Sequence, residues 1–183
     1  LYEVYAGGEG ASCRRDGTNA VRVHMTNVMN TPVEAIEAAY PLRIEHYELP
    51  DEDALRQTKL AGLIASCQPN FVGQWSGPGD VYETRLGALR MAGNNPYRQI
   101  LRRGIPLCFG SDGMPYGPLY GIHWAVNGFF EEQRIPPEDA VRAYTAGGAF
   151  AAFEEGKKGT LDGGKLADFV VLDGDPFLEP ESI

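Results

Sequence analysis

The chain has 183 residues, of which 43% are apolar, and it carries a formal net charge of −9. This length and composition are typical of one globular domain with a sizeable core. The Lys and Arg residues form no cluster, which excludes a nucleic-acid-binding surface, and no apolar run reaches the roughly 18 residues of a membrane span.

The first part of the chain predicts alternating strands and helices. After an irregular lead-in over residues 1–19, we expect a strand over 20–24, a helix over 31–39, a strand over 42–46, a helix over 51–61 and a strand over 63–68. Thr31 and Pro32 suit the start of the first helix, and Asp51 and Gly62 suit the two ends of the second. Such alternation predicts βα units and a parallel sheet.

The rest of the chain predicts one more βα unit and a different tail. We expect a loop with short helical pieces over 70–95, a helix over 96–103, a strand over 105–109, helices over 136–144 and 146–153, and a strand over 167–172. A closed (β/α)8 barrel needs eight strands and typically about 250 residues, so four βα units supply half of one. We therefore divide the chain into the lead-in 1–19, a partial barrel 20–155 and a C-terminal β segment 156–183.

Three residues that bind metals well each follow a predicted strand. His24, His46 and Asp112 lie at strand ends, and parallel strands bring their carboxyl ends to one edge of the sheet. Two imidazoles and a carboxylate suit Zn²⁺ or a similar divalent ion, which lowers the pKa of a bound water toward about 7. A neighbouring aspartate could take the proton of that water. Spacing alone leaves open the alternative that these are hydrogen-bonded structural residues.

Four further residues are candidates for substrate binding. Gln68 ends the third strand, where it contacts the substrate or simply caps the strand. Trp75 and Tyr82 lie in the loop over 70–95, which is expected to cover the site. His123 lies near the start of a helix after Pro118, where it either packs or faces the substrate.

Cysteine usage predicts a reducing compartment. Cys13, Cys67 and Cys108 are widely spaced and form no CxxC motif. This pattern is typical of free thiols rather than of a disulfide framework, and it predicts a cytoplasmic protein.

Four sequence motifs together resemble the metal-dependent amidohydrolase superfamily. They are Arg43-Ile44-Glu45-His46, Ser66-Cys67-Gln68-Pro69, Gly110-Ser111-Asp112-Gly113-Met114-Pro115 and the stretch from Gly159 to Leu172. Within the superfamily, the chain is most similar to the branch of N-substituted formamide deformylase-like and related amidohydrolases. The resemblance implies an α/β fold that forms the C-terminal half of a TIM-type barrel, with a short β-sandwich return segment.

The resemblance also implies roles for individual residues. His24 resembles the family's metal ligand on the fifth strand, His46 the ligand on the sixth, and Asp112 the aspartate on the eighth strand that binds metal and shuttles a proton. Such enzymes hydrolyse C–N bonds of amides, cyclic amides, formamides or amidines. The implied cofactor is a divalent metal, with Zn expected first and Fe or Mn as alternatives, and the implied partner is a small-molecule substrate.

Two departures from the family pattern support a competing hypothesis. The Gly-Asp that this branch places after the first histidine is missing, and the His-x-His pair and fourth-strand ligand belong to an N-terminal half that this chain lacks. The isolated chain could therefore be inactive, and the alternative is a non-catalytic half-barrel module or assembly partner without metal. Because a half-barrel exposes strand edges and apolar surface, we expect a homo-oligomer or association with the missing N-terminal half.

Overall fold

Two small sheets organise the chain. The computed structural model describes residues 12–15, 19–22 and 42–182. The strands are β1 (Ser12–Arg15), β2 (Asn19–Arg22), β3 (Arg43–Glu45), β4 (Ile64–Cys67) and β5 (Leu107–Phe109). Strands β1 and β2 pair antiparallel, whereas β3, β4 and β5 form a parallel sheet in that order. The predicted α/β fold with a parallel sheet is therefore confirmed.

Helices connect and follow the parallel strands. They are α1 (Glu52–Leu60), α2 (Asn70–Trp75), α3 (Val81–Leu86), α4 (Ala88–Ala92), α5 (Tyr97–Arg102), α6 (Pro118–Asn127), α7 (Pro137–Arg142) and α8 (Gly148–Ala151). A π-helical turn, Ala143–Gly147, joins α7 to α8. Short 3-10 helices lie at Glu131–Gln133 and Pro180–Ser182. The short helices α2, α3 and α4 confirm the helical pieces predicted within 70–95.

Helix α1 begins and ends where the sequence predicts. The Asp51 side chain accepts a hydrogen bond of 2.8 Å from the Ala54 backbone N–H, which caps the amino end. Gly62 follows the helix with a φ of 64°, a conformation in which glycine has no Cβ penalty. One face of α1 is buried through Leu55, so the helix covers the sheet that carries the site.

The main core lies between the parallel sheet and the surrounding helices. Its most deeply buried members come from the segments on all sides of the sheet, including α1, α2, α5, α6 and α7: Tyr47, Leu55, Ala65, Cys67, Val72, Tyr97, Ile100, Ile105, Ala125 and Ala140. The ring of Tyr97 contacts the ring of Phe109 at a centroid distance of 5.0 Å. Since such buried side chains are close-packed, the ends of β3, β4 and β5 have fixed relative positions.

The π-helical turn reaches the sheet through a glycine. A Cβ added to Gly147 would lie 2.5 Å from the Leu107 carbonyl oxygen of β5, which is closer than a side-chain carbon can approach. Glycine at this position lets the turn contact β5 directly. The close approach brings Tyr144, in the middle of the turn, near the end of β5.

The amino-terminal prediction needs correction. The strand predicted over 20–24 overlaps β2, but β2 pairs antiparallel with β1 instead of joining the parallel sheet. Strand β1 itself lies in the region predicted to be irregular. Two strands this close in sequence can pair only as antiparallel neighbours, because a parallel pair needs a long crossover. The predicted helix over 31–39 and His24 lie outside the described residues.

The tail also differs from its prediction. Residues 167–172 form no strand, and the side chains of Phe169, Val170 and Val171 are 69%, 78% and 83% exposed. A strand requires a partner for its backbone N–H and C=O groups, and no other described segment pairs with this stretch. The β propensity of these residues is therefore not expressed within the described part of the chain.

Candidate active site

The candidate site lies at the carboxyl edge of the parallel sheet. His46 directly follows β3, Gln68 directly follows β4, and Asp112 lies three residues after the end of β5. Cys67 aligns with Phe109, and the Gly110 N–H continues the pairing with a hydrogen bond of 3.0 Å to the Cys67 carbonyl. Adjacent strands lie about 4.8 Å apart, which places the ends of β3 and β5 about 10 Å apart with Gln68 between them.

Both described metal-ligand candidates have an unusual backbone conformation. His46 has a φ of 69° and Asp112 a φ of 53°, which is the left-handed region that non-glycine residues rarely occupy. Tyr47 follows with a φ of 49°, and its buried hydroxyl lies 2.6 Å from the Thr58 hydroxyl of α1. This conformation costs about 1–2 kcal/mol for each residue, and residues held in it cluster at functional sites. The chain therefore leaves β3 and β5 in sharp turns at the two candidate ligands.

Aromatic rings extend from His46 along one side of the site. The His46 imidazole stacks on Phe71 of α2 at 5.8 Å between centroids, with 16° between the planes. Trp75 lies 4.6 Å from Phe71, and Tyr82 meets Trp75 edge-on at 5.8 Å. We call Phe71, Trp75 and Tyr82 the aromatic wall. It connects two of the predicted substrate contacts to the predicted metal ligand.

One buried polar atom at this edge makes no hydrogen bond with a described residue. It is Oε1 of Gln68, a residue that is 6% exposed. A buried polar atom without a partner costs free energy, so it calls for an explanation. A bound molecule with an N–H or O–H group would satisfy it. The hydroxyl of Tyr82, which is 7% exposed, lies beside the Glu48 carboxyl. Gln68 and Tyr82 are both predicted substrate-binding residues.

Glu48 is a site residue that the sequence did not reveal. Its carboxyl lies beside the Tyr82 hydroxyl and near the His46 imidazole, and its backbone carbonyl accepts a hydrogen bond of 2.7 Å from the Asn95 N–H. Burial raises the pKa of Glu48, and the Tyr82 hydroxyl and His46 offset part of this effect. The sequence around Glu48 gives no sign of this environment. The residues that surround it, Tyr82 and Asn95, come from distant segments of the chain.

The raised pKa of Glu48 predicts how its replacement changes stability with pH. A pKa above the unfolded value means that the folded state holds the proton more tightly, so this contribution to stability is present at low pH and is lost as the pH rises through the folded pKa. We expect Glu48→Gln to raise the free energy of unfolding at pH 7 and to change it little at about pH 4. Urea denaturation at both pH values measures this.

The matched control for Glu48 is the exposed Glu155. Glu155→Gln is expected to leave the free energy of unfolding within about 0.5 kcal/mol of the wild-type value at both pH values. A Glu48→Gln variant that is less stable than the wild type at pH 7 would show that the ionised carboxylate stabilises the fold, contrary to the prediction.

The donor chemistry of the described residues fits a divalent metal only in part. An imidazole at His46 and an exposed carboxylate at Asp112 are ligand types that divalent ions accept. Within residues 42–182, however, no group of three or more His, Cys, Asp or Glu side chains is close enough to hold an ion. His24, the third predicted ligand, lies outside the described residues. The described part of the chain therefore contains two of the three predicted ligands, and their assignment to a metal stays a prediction.

The remaining candidates have contacts typical of structural residues. His123 lies on α6, where its Nδ1 is 3.3 Å from the Asn127 amide nitrogen and its ring meets Trp124 edge-on. Its assignment to substrate binding stays a prediction. Glu45, the neighbour of His46 on β3, forms an ion pair with Arg43 and accepts a hydrogen bond of 2.6 Å from Ser66.

Two of the cysteines are buried free thiols. Cys67 and Cys108 lie on the neighbouring strands β4 and β5 and form no disulfide. Burial raises the pKa of both thiols, which disfavours the reactive thiolate. No helix of the described residues is long and apolar enough to cross a membrane.

Comparison with known sequences decides the family. The sequence model of the amidohydrolase family matches residues 6–182, nearly the whole chain. The chain belongs to the amidohydrolase family. The predicted superfamily is thus confirmed, whereas the predicted branch of formamide deformylase-like proteins stays a prediction.

The relatives that this amidohydrolase chain matches are longer than the chain itself. "Putative amidohydrolase YtcJ" of Bacillus subtilis (strain 168) is 31% identical over 150 residues, which cover 74% of the chain and 27% of the relative. An imidazolonepropionase of Pseudomonas aeruginosa (strain UCBPP-PA14) is 28% identical over 155 residues, which cover 84% of the chain and 35% of the relative. The chain thus spans about a quarter to a third of the length of these relatives.

Solved structures agree with this assignment. An uncharacterized metal-dependent hydrolase from Pyrococcus furiosus matches with a TM-score of 0.66 and 29% identity, over 77% of the chain and 30% of that protein. A second such hydrolase, from Pyrococcus horikoshii OT3, matches with a TM-score of 0.62 and 27% identity, over 78% of the chain and 30% of that protein. The likeness to these metal-dependent hydrolases confirms the predicted α/β fold class.

Proposed function

We propose that this chain is part of a metal-dependent hydrolase that cleaves C–N bonds of small amides, cyclic amides, formamides or amidines. Family membership supports a hydrolase, and the metal-dependent neighbours support a divalent metal. The observation that carries the proposal is the position of His46 and Asp112. Both lie at the carboxyl edge of one parallel sheet, and both have the left-handed backbone that is typical of functional sites.

In the proposed site, His46 and Asp112 would hold a divalent ion together with His24. Zn is the first expectation, and Fe or Mn are alternatives with the same ligand types. When bound, the ion supplies Lewis-acid polarisation of the substrate carbonyl and a water nucleophile at neutral pH. The other ligands of the complete set would come from parts of the longer relatives that this chain does not span.

The residues of this chain would then move the proton and hold the substrate. The exposed carboxylate of Asp112 would take a proton from the attacking water and return it to the leaving nitrogen. Oε1 of Gln68, buried and without a described partner, would accept a hydrogen bond from an N–H of the substrate. The half-buried ring of Trp75 would contact an apolar part of the substrate beside the scissile bond.

The test combines metal analysis with hydrolysis. The protein is expressed from its native gene, purified and analysed for Zn, Fe and Mn, and its hydrolysis of N-formyl, cyclic amide and amidine substrates is measured before and after chelation. We expect a stoichiometric metal, loss of hydrolysis on chelation and recovery when the metal returns. His46→Asn should lower bound metal and hydrolysis together, since asparagine tolerates the left-handed backbone of His46.

His123→Asn is the matched control for that variant. It removes the other described imidazole, on α6, and is expected to leave the metal content unchanged. Hydrolysis that persists without metal would contradict the proposed mechanism. A folded protein that holds no metal and hydrolyses none of these substrates would favour the alternative, a non-catalytic half-barrel module.

The predicted partners and location remain proposals. The exposed apolar side chains of the tail, such as Val170 and Val171, support association with a second copy or with the N-terminal half-barrel that the family resemblance implies. Light scattering that shows only a monomer would contradict the homo-oligomer. The buried free thiols Cys67 and Cys108 support a reducing compartment such as the cytoplasm, and secretion with a disulfide between any of the cysteines would contradict it.

A further inference from the structure

The loop that carries Asp112 is held at both ends by one pair of side chains. The Tyr144 hydroxyl donates to Oδ1 of Asn70 at 2.8 Å and also lies 3.3 Å from the Gly110 carbonyl oxygen, at the start of the loop. The Asn70 amide nitrogen donates to the carbonyl of Pro115 at 2.9 Å, near the end of the loop. We call Asn70 and Tyr144 the clamp. It joins the two sides of the loop around Asp112.

The two members of the clamp come from distant parts of the fold. Asn70 is the first residue of α2, directly after the β4 edge, and its side chain is fully buried. Tyr144 lies in the π-helical turn that contacts β5, and its ring meets the Phe109 ring at 5.5 Å between centroids. Burial raises the pKa of Tyr144, so its hydroxyl remains a hydrogen-bond donor at neutral pH.

Helix α6 fits closely over the clamp through one glycine. A Cβ added to Gly121 would lie 1.8 Å from the Tyr144 hydroxyl and 2.5 Å from Oδ1 of Asn70. A side chain at position 121 would therefore push the Tyr144 hydroxyl and the Asn70 amide oxygen apart. Glycine at position 121 lets α6 cover one side of the pair, so that these hydrogen bonds are partly shielded from water.

Asp112 itself has little other support. Its side chain is exposed and makes no hydrogen bond with any described residue. Its own backbone is strained, with a φ of 53°. Ser111, its neighbour, accepts a long hydrogen bond of 3.4 Å from the Gly117 N–H, and its side chain also interacts with the Tyr144 hydroxyl of the clamp. A residue in a sparsely populated conformation persists only where its surroundings impose that conformation. The clamp provides that constraint from both ends of the loop.

We propose that Asn70 and Tyr144 are positioning residues that fix Asp112 for proton transfer. This inference rests on the proposed function of Asp112. The clamp residues need not touch the substrate, and they would act through the backbone at Gly110 and Pro115. Because a displacement of about 1 Å can cost up to about 100-fold in rate, loss of the clamp should reduce turnover without weakening substrate binding.

The experiment uses the metal-loaded protein expressed from its native gene. Tyr144→Phe removes one oxygen atom, and Asn70→Ala removes both hydrogen-bonding atoms of its partner. We expect each variant to lower kcat by about 10- to 100-fold while KM stays within about 3-fold of the wild type. Hydrogen exchange, measured by mass spectrometry, should become faster in peptides that cover residues 110–117. If the clamp had a purely structural role, both substitutions would lower stability but would not reduce kcat while leaving KM unchanged.

Tyr120→Phe is the matched control. The Tyr120 hydroxyl on α6 accepts a hydrogen bond of 2.7 Å from Gln74 but does not contact the loop, so kcat and exchange over 110–117 should remain unchanged. If Tyr144→Phe does not fold, Asn70→Ala supplies the same comparison. Unchanged kcat and unchanged loop exchange in the clamp variants would overturn the inference.

The proposed function and the clamp fail in different ways. Full activity of Asp112→Asn would refute the proposed role of Asp112 whatever the clamp variants do, and it would remove the reason for positioning that residue. Inactivity of Asp112→Asn together with wild-type kcat in Tyr144→Phe and Asn70→Ala would refute the clamp alone. Faster loop exchange with reduced kcat in both clamp variants would support it.

Discussion

Asp112→Asn is expected to lower the hydrolysis rate by about 10³-fold, the middle of the range for loss of a general acid–base group. The amide cannot take the proton that the proposed mechanism assigns to the carboxylate. The substitution keeps the size of the side chain, and asparagine adopts the left-handed backbone of position 112 readily, so the fold should be unaffected. Steady-state kinetics of the metal-loaded protein, compared with urea denaturation of the same variant, measures both expectations.

The control for Asp112 is another exposed aspartate. Asp173 lies in the tail, away from the sheet edge, and Asp173→Asn should leave both rate and stability unchanged. Hydrolysis by Asp112→Asn at the wild-type rate would show that another group carries the proton. Glu48, partly buried beside His46, would then be the next residue to test.

Leu55→Ala is expected to destabilise the chain by about 2–5 kcal/mol, the range for large-to-small substitutions in a core. The Leu55 side chain is 1% exposed and lies in the core cluster between α1 and the sheet. A typical domain of this size has only about 5–15 kcal/mol of stability, so the loss is a large fraction of the total. Urea denaturation followed by circular dichroism measures the change in the free energy of unfolding.

Leu60, on the same helix, is the matched control. It is 70% exposed, so Leu60→Ala removes the same atoms without opening a cavity and should change the free energy of unfolding by less than about 0.5 kcal/mol. Equal effects of the two substitutions would mean that α1 does not pack against the sheet as described. The contrast therefore tests the support of the strand ends that carry His46 and Gln68.

Local signals in the sequence were sufficient for most of the elements after residue 42. Helix α1 was predictable because Asp51 and Gly62 mark its ends, and a capping hydrogen bond and a left-handed glycine depend only on neighbouring residues. Strands β4 and β5 were predictable because short apolar runs between helices favour buried parallel strands. The tail around Val170 has the same β propensity, but a strand also needs a partner, and local sequence does not reveal whether one exists.

The candidate site likewise has residues that local sequence predicts and residues that it does not. The positions of His46, Gln68 and Asp112 at one edge of the sheet were predictable because parallel strands bring their carboxyl ends together, whereas their roles stay a prediction. Glu48, Asn70 and Tyr144 were not singled out as site residues. Their roles depend on contacts such as that between Tyr144 and Asn70, which lie 74 positions apart in the chain.

By itself, the sequence determined the α/β class and the candidate ligands, because these depend on periodicity, end signals and residue types along the chain. The amidohydrolase family followed from the resemblance of its motifs and from the match to the family model. Only the tertiary structure decided the left-handed turns at His46 and Asp112, the partial burial of Glu48 and the clamp around the Asp112 loop. The physical reason is that strain, burial and hydrogen bonds between distant segments arise only when packing brings those segments together.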